Sequence, residues 1–559
     1  MTTPSASSIP SPRKARGAFF TPEPLARFLT DWAIRSPADA ILEPSCGEAA
    51  FLLAAASKLT GLANTCRDSV AVPHLDGIEL HPESAQRALS LLNSAGIPAS
   101  VEVGDFFDVK PTASYDAVIG NPPYIRYQEF TGGARARSRE AALRAGVALT
   151  NLASSWAAFT VHASLFLKPG GRLALVLPAE LLTVNYAAGI RRMLMEKFAR
   201  VGLVLFEERV FPGVLEEVVL LMADDYANGP TEHCRIYQAR NADDLPTALL
   251  PRLWRPDAPE SKWTPSLLSA KALTAYADLA ASAQFSPLQT WGETTLGMVT
   301  GNNRYFALSP QKVADLRLRP MDLIPVSPPG SRHLRGLSFT QSALTELGQT
   351  GSATWLFRPA DEPSPAARDY IAQGEAIGVD RAYKCRVRSP WWRTPFVPPA
   401  DLLLTYMNAD TPRLCANSAK AHHLNSVHGV YLNPALRHRG RDLLPLAALN
   451  TVTLLGAETV GRSYGGGMLK LEPKEADRLP VPSPALIEAT CTALTALRPQ
   501  LATHLRNARL MEAVRLVDNV ILIGELGLSR AAVRDLREAH AELTARRTAR
   551  GSSPRDTNR

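Results

Sequence analysis

Short apolar runs alternate with amphipathic stretches through the first part of the chain. Thr21 followed by Pro22 reads as an N-cap with proline at the first helical position, and Leu25, Phe28, Leu29 and Trp32 then recur at helical spacing. The run Ile-Leu-Glu-Pro-Ser-Cys-Gly at 41–47 predicts a strand, a small-residue turn and a helix over 49–58. Further strands are predicted over 75–80, 101–107 and 115–119, with an apolar helix over 152–167 that Lys168-Pro-Gly-Gly stops. A strand at 173–177, a helix at 190–198 and strands at 201–206 and 218–222 complete the series. The alternation predicts an α/β fold with a Rossmann-like, doubly wound, mostly parallel sheet over 17–224, its last strands forming a hairpin.

Beyond that point the pattern changes. Residues 225–285 are rich in Pro, Asp and Ala and read as a connector. Residues 286–480 carry Pro, Gly and short β-like runs, which predicts a mixed α+β domain. From 481 to 547 the spacing is helical, with Leu497, Leu501, Leu505, Val514 and Val517 on buried faces. The two ends, 1–16 and 548–559, are polar and basic and are expected to be disordered arms.

The predicted strands finish in order on Glu43, Glu79, Asp105 and Asn121. One acid at a strand tip is an ordinary turn residue, but four polar tips along one sheet edge lie where open α/β sheets place their ligands. Glycine turn, then helix, presents backbone N–H groups to a ligand, although Gly-x-Gly-x-x-Gly is absent from 43–47. Glu79 is placed to accept both hydroxyls of a ribose, and Asp105 to accept from an adenine amino group with Phe106 against the ring. After 115–119 the prolines of Asn121-Pro122-Pro123-Tyr124 remove two N–H donors and end the strand. The amide oxygen of Asn121 beside a backbone carbonyl makes two acceptors for one planar –NH2 group, and Tyr124 offers a ring for stacking. The plain alternative is a proline turn capping a buried strand.

Composition sharpens this in two places. The chain of 559 residues has a net charge of +8, and 281–480 holds 22 Lys and Arg against 16 Asp and Glu, so most of the excess sits there. A basic segment interleaved with Trp391, Trp392 and Tyr406 suits nucleic acid, through phosphate pairing and stacking. Its candidate contacts are Arg386, Arg388, Trp391, Trp392 and Arg393, with Arg135 and Arg137 of a loop over 128–150 as phosphate clamps beside the catalytic motif. The alternatives are a solvated charge run for the loop and simple core packing for the tryptophans. Six scattered cysteines show no paired short spacing, which predicts no metal site and a reducing, cytoplasmic setting. No run approaches the ~20 apolar residues of a membrane span.

Together these residues resemble the TaqI-type (gamma-class) adenine-N6 DNA methyltransferases. The resemblance rests on Gly17–Thr21, Glu43–Gly47, Glu79, Asp105–Phe106 and Asn121–Tyr124 in that order, with Phe211-Pro212 matching an aromatic–proline turn beside the target base. It implies S-adenosyl-L-methionine as cofactor, held by Thr21, Glu43, Pro44, Ser45, Cys46, Gly47, Glu79, Asp105 and Phe106. It implies catalysis by Asn121, Pro122, Pro123 and Tyr124 on a flipped adenine flanked by Phe211. Over 286–480 it is weaker, extending to 383–392, 417–430 and 461–473, and implies a target-recognition domain. Double-stranded DNA is the expected partner of a monomer, with a separately encoded restriction endonuclease as a further candidate. Transfer to a protein glutamine or an RNA base, transfer to cytosine, and a catalytically idle DNA-binding subunit stay open as alternatives.

Overall fold

The computed structural model describes residues 21–65, 74–125, 129, 132–151, 153–208, 210, 211, 217–245 and 250–551. The expected arm 1–16, residues 552–559 of the expected arm 548–559, residues 17–20 and Pro212 lie outside them. Residues 548–551 belong to the helix Arg530–Gly551 and are not part of a disordered arm. The chain divides into two units, Met1–Leu267 and Leu268–Arg559.

The first unit runs α1 Glu23–Ala33, β1 Ala40–Glu43, α2 Ala50–Thr65, β2 His74–Glu79, α3 Pro82–Ser94, β3 Ser100–Val103 and β4 Tyr115–Gly120. It continues through α4 Gly132–Arg144, α5 Ser155–Ser164, β5 Leu167–Pro178, α6 Ala188–Lys197, β6 Phe198–Phe206, β7 Val218–Tyr226, β8 Cys234–Ala239 and β9 Arg252–Trp254. The strands form one nine-stranded sheet in the order β3-β2-β1-β4-β5-β7-β6-β8-β9. Strands β1 to β5 are parallel, and β7 reverses against both β5 and β6, which is the predicted hairpin. Alternate residues Ile41, Ala117, Ile119, Ala174 and Val176 share a core with Leu25 and Leu29 of α1 and Leu52 and Ala55 of α2. Every residue of β1 is buried, as expected where helices cover a parallel sheet.

Three expectations are corrected here. Residues 225–254 are not a connector: β8 pairs parallel with β6, and β9 closes the edge beside it. The Cys234-Arg-Ile-Tyr-Gln-Ala run alternates as a strand does, and its Asp- and Pro-rich flanks masked that signal. The segment read as a loop over 128–150 contains α4. At the N-terminus of α1 the capping position is Pro22 and no side chain caps it, so Thr21 is released for other work.

The second unit holds a five-stranded sheet of Gly292–Leu296, Val427–Leu432, Leu402–Thr405, Leu414–Asn417 and Ser338–Phe339, in that spatial order. It also holds two three-stranded sheets, the antiparallel pair Phe285–Pro287 and Pro480–Pro482, and helices that include Arg437–Ala447, Thr451–Val460, Pro484–Arg506, Leu510–Asp518 and Arg530–Gly551. The helices after 481 are part of this unit. Buried Asp518 accepts hydrogen bonds from the Thr451 N–H and hydroxyl, and Arg537 donates to it at 2.8 Å. Arg547 and Glu458, both nearly inaccessible, pair at 2.9 Å. Removing one member of such a buried pair costs about 3–5 kcal/mol, which is why this helix cannot be counted as a loose tail. No single described helix is long and apolar enough to cross a membrane.

Candidate active site

The carboxyl ends of β1, β2, β3 and β4 meet at one sheet edge because these strands are parallel and in register: Glu43 stands beside Gly77, and Glu79 beside Val103. Glu43 is turned inward and buried, its Oε2 accepting the Leu52 N–H at 3.1 Å. Burial, reinforced by the nearby Glu79 charge, raises its pKa well above the ordinary carboxylate value. It braces the following turn from beneath and is not a solvent-facing ligand for a cofactor. Pro44 and Cys46 are buried with it, while Ser45 and Gly47 are half exposed, which narrows the expected cofactor turn to those two.

Glu79 reaches across from β2. Its Oε2 accepts the Gly47 N–H and its Oε1 the His81 N–H, both at 2.9 Å. An ionised carboxylate has about four lone-pair positions, so two remain for a diol. Asp105 follows β3, and its Oδ1 accepts the Phe107 N–H at 3.1 Å. Its Oδ2 takes the Arg137 guanidinium at 2.8 Å, and Arg137 also pairs with Asp108 at 3.2 Å. Arg137 therefore neutralises strand-end carboxylates, a correction to its expected role as a phosphate clamp. Arg135, half exposed on the same helix, keeps interactions of its own.

Two aromatic residues sit differently from expectation. Phe106 is 3% exposed and packs among Phe159, Phe166 and His162. The strand ends at Val103 and a 3-10 turn over Phe106–Asp108 swings both phenylalanines into the core. Phe106 thus cannot stack on a cofactor ring without leaving that cluster. The neighbouring His162 lies 3.1 Å from the Phe106 carbonyl through Nε2, and burial lowers its pKa to about 4, so it is neutral. Phe211 is 4% exposed and belongs to the same core as α1 and α2, so its ring is not offered to a flipped base here.

The motif at 121–124 is held from three sides. Gly120 leaves β4 at φ +155°, a conformation L side chains rarely adopt, with Glu43 and Pro44 close behind it. Asn121 donates from Nδ2 to the Thr21 hydroxyl at 3.1 Å. Its Oδ1 accepts from the Tyr124 hydroxyl at 2.8 Å, which also lies 2.9 Å from the Val176 carbonyl. Oδ1 keeps a second lone pair for an incoming amine. Thr21, expected at the cofactor, is here the partner of the catalytic-motif amide.

Ser155 was not singled out by the sequence. Its hydroxyl donates to the Pro123 carbonyl and accepts the Ile125 N–H at 2.9 Å, and its own N–H donates to the Ile125 carbonyl at 3.0 Å. Three bonds from one residue clamp the exit of the proline turn. Ser-Ser before an apolar run marks a helix start, but nothing local says that the helix end meets a loop thirty residues earlier.

In the second unit the expected nucleic-acid contacts divide. Arg388 donates to the carbonyls of Thr300, at 2.7 Å, and Val299. Arg393 pairs with Asp361, and its guanidinium lies 5.7 Å from the Trp392 ring centre. Trp391 donates to Glu375 at 2.9 Å and packs beside Tyr305 and Phe306, and Trp392 packs on the same cluster. Arg386 alone of this group is exposed. Among the described residues no cluster of His, Cys, Asp or Glu could hold a metal ion.

A parallel sheet whose strand ends carry Glu79 and Asp105 beside an Asn-Pro-Pro-Tyr turn is the layout of a methyltransferase core. The family described as N-6 DNA Methylase matches residues 9–246, and that described as Type II methyltransferase M.Eco57I, C-terminal domain, matches 260–522. Type II methyltransferase M.XamI of Xanthomonas campestris pv. amaranthicola is 27% identical over 488 residues, 84% of this chain and 85% of its own length. Type II methyltransferase M.AccI of Acinetobacter calcoaceticus is 22% identical over 485 residues, 83% and 85% of the two chains. The fold is shared with the Type IIL restriction-modification enzyme MmeI, at 12% identity and a TM-score of 0.51 over 91% of this chain and 73% of that one. The two matched families and the Type II relatives together support an N6-adenine DNA methyltransferase.

Proposed function

We propose that this enzyme is of the TaqI (gamma) type, transfers its methyl group from S-adenosylmethionine, and does so to an adenine rotated out of duplex DNA. The observation that carries this reading is the Asn121 amide, pinned between Thr21 and Tyr124 at the end of β4, next to strand-end acceptors on β2 and after β3. The donor set fits the cofactor. Glu79 has lone pairs left for the ribose hydroxyls, Asp105 for the adenine amino group, and Ser45 and Gly47 line the turn after β1, on the other side of Glu79 from Asp105.

When bound, S-adenosylmethionine supplies an electrophilic methyl on sulfur. The chain's own residues do the rest. An adenine amino group inside a duplex is inaccessible, so the nucleotide must leave the stack at a cost of a few kcal/mol. Asn121 Oδ1 and the Pro122 carbonyl then accept its two N–H hydrogens, which draws the nitrogen lone pair out of conjugation with the ring. The gain is positional and electrostatic, and neither a nucleophile of the enzyme nor a general base is required to start it. Ser155 keeps the turn rigid while the base enters, and the Tyr124 ring is the stacking surface.

The second unit is then the part that reads the DNA site, since one pocket that admits one base cannot read its neighbours. The likeness to Type II methyltransferases supports a role in a restriction-modification system, and a separately encoded nuclease is the partner such a role calls for. The test is fluorescence of a duplex carrying 2-aminopurine at the target adenine. Addition of wild-type enzyme should raise it several-fold, and calorimetry should show one S-adenosylmethionine per chain. A bound duplex with unchanged fluorescence would sink base flipping.

A further inference from the structure

The stretch 377–396 holds Arg381, Lys384, Arg386, Arg388 and Arg393 against one acid, Asp380. It also holds four of the thirteen exposed large hydrophobic residues among those described: Ile377, Tyr383, Val387 and Phe396. Single exposed apolar side chains are ordinary, but a basic segment that keeps this many in water has a use for them.

The geometry of 383–388 shows how they are kept there. Tyr383–Arg386 is one helical turn capped by Val387, so Tyr383 and Val387 stand one turn apart on the same side. Their exposures are 65% and 61%, and Lys384 and Arg386 beside them are exposed as well. The other two residues of the segment face the opposite way and hold it down. Cys385 is fully buried, with its thiol 3.7 Å from the Thr300 carbonyl, and Arg388 is bonded to the Thr300 and Val299 carbonyls. Gly301 lets the turn approach: at φ +90° its missing Cβ would stand 3.0 Å from Lys384 and 3.1 Å from the Cys385 sulfur. A turn anchored this firmly from below presents two apolar and two cationic side chains at low conformational cost. Lys384 lies 5.6 Å from the centre of the Tyr383 ring, so cation and aromatic form one surface.

We propose that Tyr383, Lys384, Arg386 and Val387 form a contact face for duplex DNA, with Lys384 and Arg386 on phosphates and Tyr383 and Val387 against bases. This rests on the functional reading above, and it moves the expected contact from Arg388, Trp391 and Arg393, which are spent on the protein itself, to their exposed neighbours. Charge complementarity selects the occupant: with Arg388 and Arg393 committed to the protein, the exposed cations Arg381, Lys384 and Arg386 stand against one acid, Asp380, and suit a polyanion. Phosphate contacts set affinity without regard to sequence, and base contacts set discrimination, so the two pairs separate experimentally.

The experiment is fluorescence anisotropy of the full-length protein on two duplexes over a range of salt. One duplex carries the site found by sequencing modified bases, and the other carries that site scrambled. Lys384→Gln with Arg386→Gln should weaken binding to both duplexes equally and reduce the slope of log affinity against log salt by about two. Tyr383→Ala with Val387→Ala should leave the slope alone and cut discrimination between the duplexes by about 10- to 100-fold. All four residues are exposed, so thermal melting should not move, and single substitutions serve where a pair is unstable. Variants that bind both duplexes as the wild type does, while the wild type binds and methylates, overturn this face alone. The same result with a change in sedimentation shows a protein-contact surface instead, and also overturns it. A wild type that binds no duplex overturns the functional reading and this face together.

Discussion

The sheet edge of the first unit and the basic turn of the second position their side chains by different physics. At the edge, parallel register brings Glu79, Asp105 and Asn121 together; backbone N–H groups then take one lone pair from each Glu79 oxygen and from Asp105 Oδ1, and Arg137 takes Asp105 Oδ2. The polar tips are fixed by topology, and local choices only trim them. At 383–388 no ladder sets direction. There a buried thiol and an arginine on two carbonyls decide which residues face outward. Function at the first place is a property of the sheet. At the second it depends on the phase of a single turn.

Asn121→Ala should break the comparison at its strongest point. Loss of a preorganised acceptor for the amino group should lower single-turnover methyl transfer by at least about 10²–10³-fold. Cofactor affinity, read by calorimetry, should stay within about twofold, because Asn121 bonds Thr21 and Tyr124 and no strand-end carboxylate. Glu79→Ala and Asp105→Ala should do the reverse, each weakening cofactor binding by about 1–3 kcal/mol in the same titration. Unchanged affinity in both would remove the sheet edge as the cofactor site.

The second unit offers the contrasting case. Arg388→Ala leaves two carbonyls without their donor, so it should cost about 1–3 kcal/mol of stability in denaturant unfolding. Its effect on the salt dependence of DNA binding should be small, whereas Arg386→Gln should change that dependence with stability intact. A smaller effect is expected at Ser155. Ser155→Ala removes both hydroxyl bonds at the proline turn and should lower the transfer rate by about tenfold, a barrier change of about 1.4 kcal/mol, with cofactor affinity kept. Ser155→Thr, which keeps the hydroxyl, should recover most of the rate.

The sheet edge was legible in sequence because strand ends announce themselves: an apolar run stops, and the next polar residue is at the edge. The motif at 121–124 carried its own stop signal in two prolines. What lay one or two residues past a strand end was not legible. Phe106 was expected against a ring and is core, since a 3-10 turn sets its direction. Arg388 and Arg386 look alike in sequence and face opposite ways because they stand at different phases of a single helical turn and its cap. Ser155 was invisible because its bonds run to Pro123 and Ile125, and β8 because charged flanks diluted its pattern. A fragment ending at 224, the boundary expected from sequence, would cut β7 within Val218–Tyr226 and discard β8 and β9.

The mildest effect concerns Glu43. Its folded pKa is raised by burial above the ordinary value of 4.5, so its neutral form belongs to the fold. That contribution is fully present below the unfolded pKa and is lost as pH rises through the folded one. Glu43→Gln cannot ionise, so its melting temperature relative to wild type should climb as pH rises above 4.5. A difference that shrinks with rising pH would mean Glu43 is stabilised as a carboxylate.

The central claim, that the turn at 121–124 methylates the amino group of adenine, is tested most directly by nucleoside mass spectrometry. DNA is taken from a methylation-free host expressing either the wild type or Asn121→Ala at equal levels. N6-methyldeoxyadenosine should appear with the wild type and fall to background with the variant. A methylated cytosine in its place, or an equal yield from both proteins, would contradict the account.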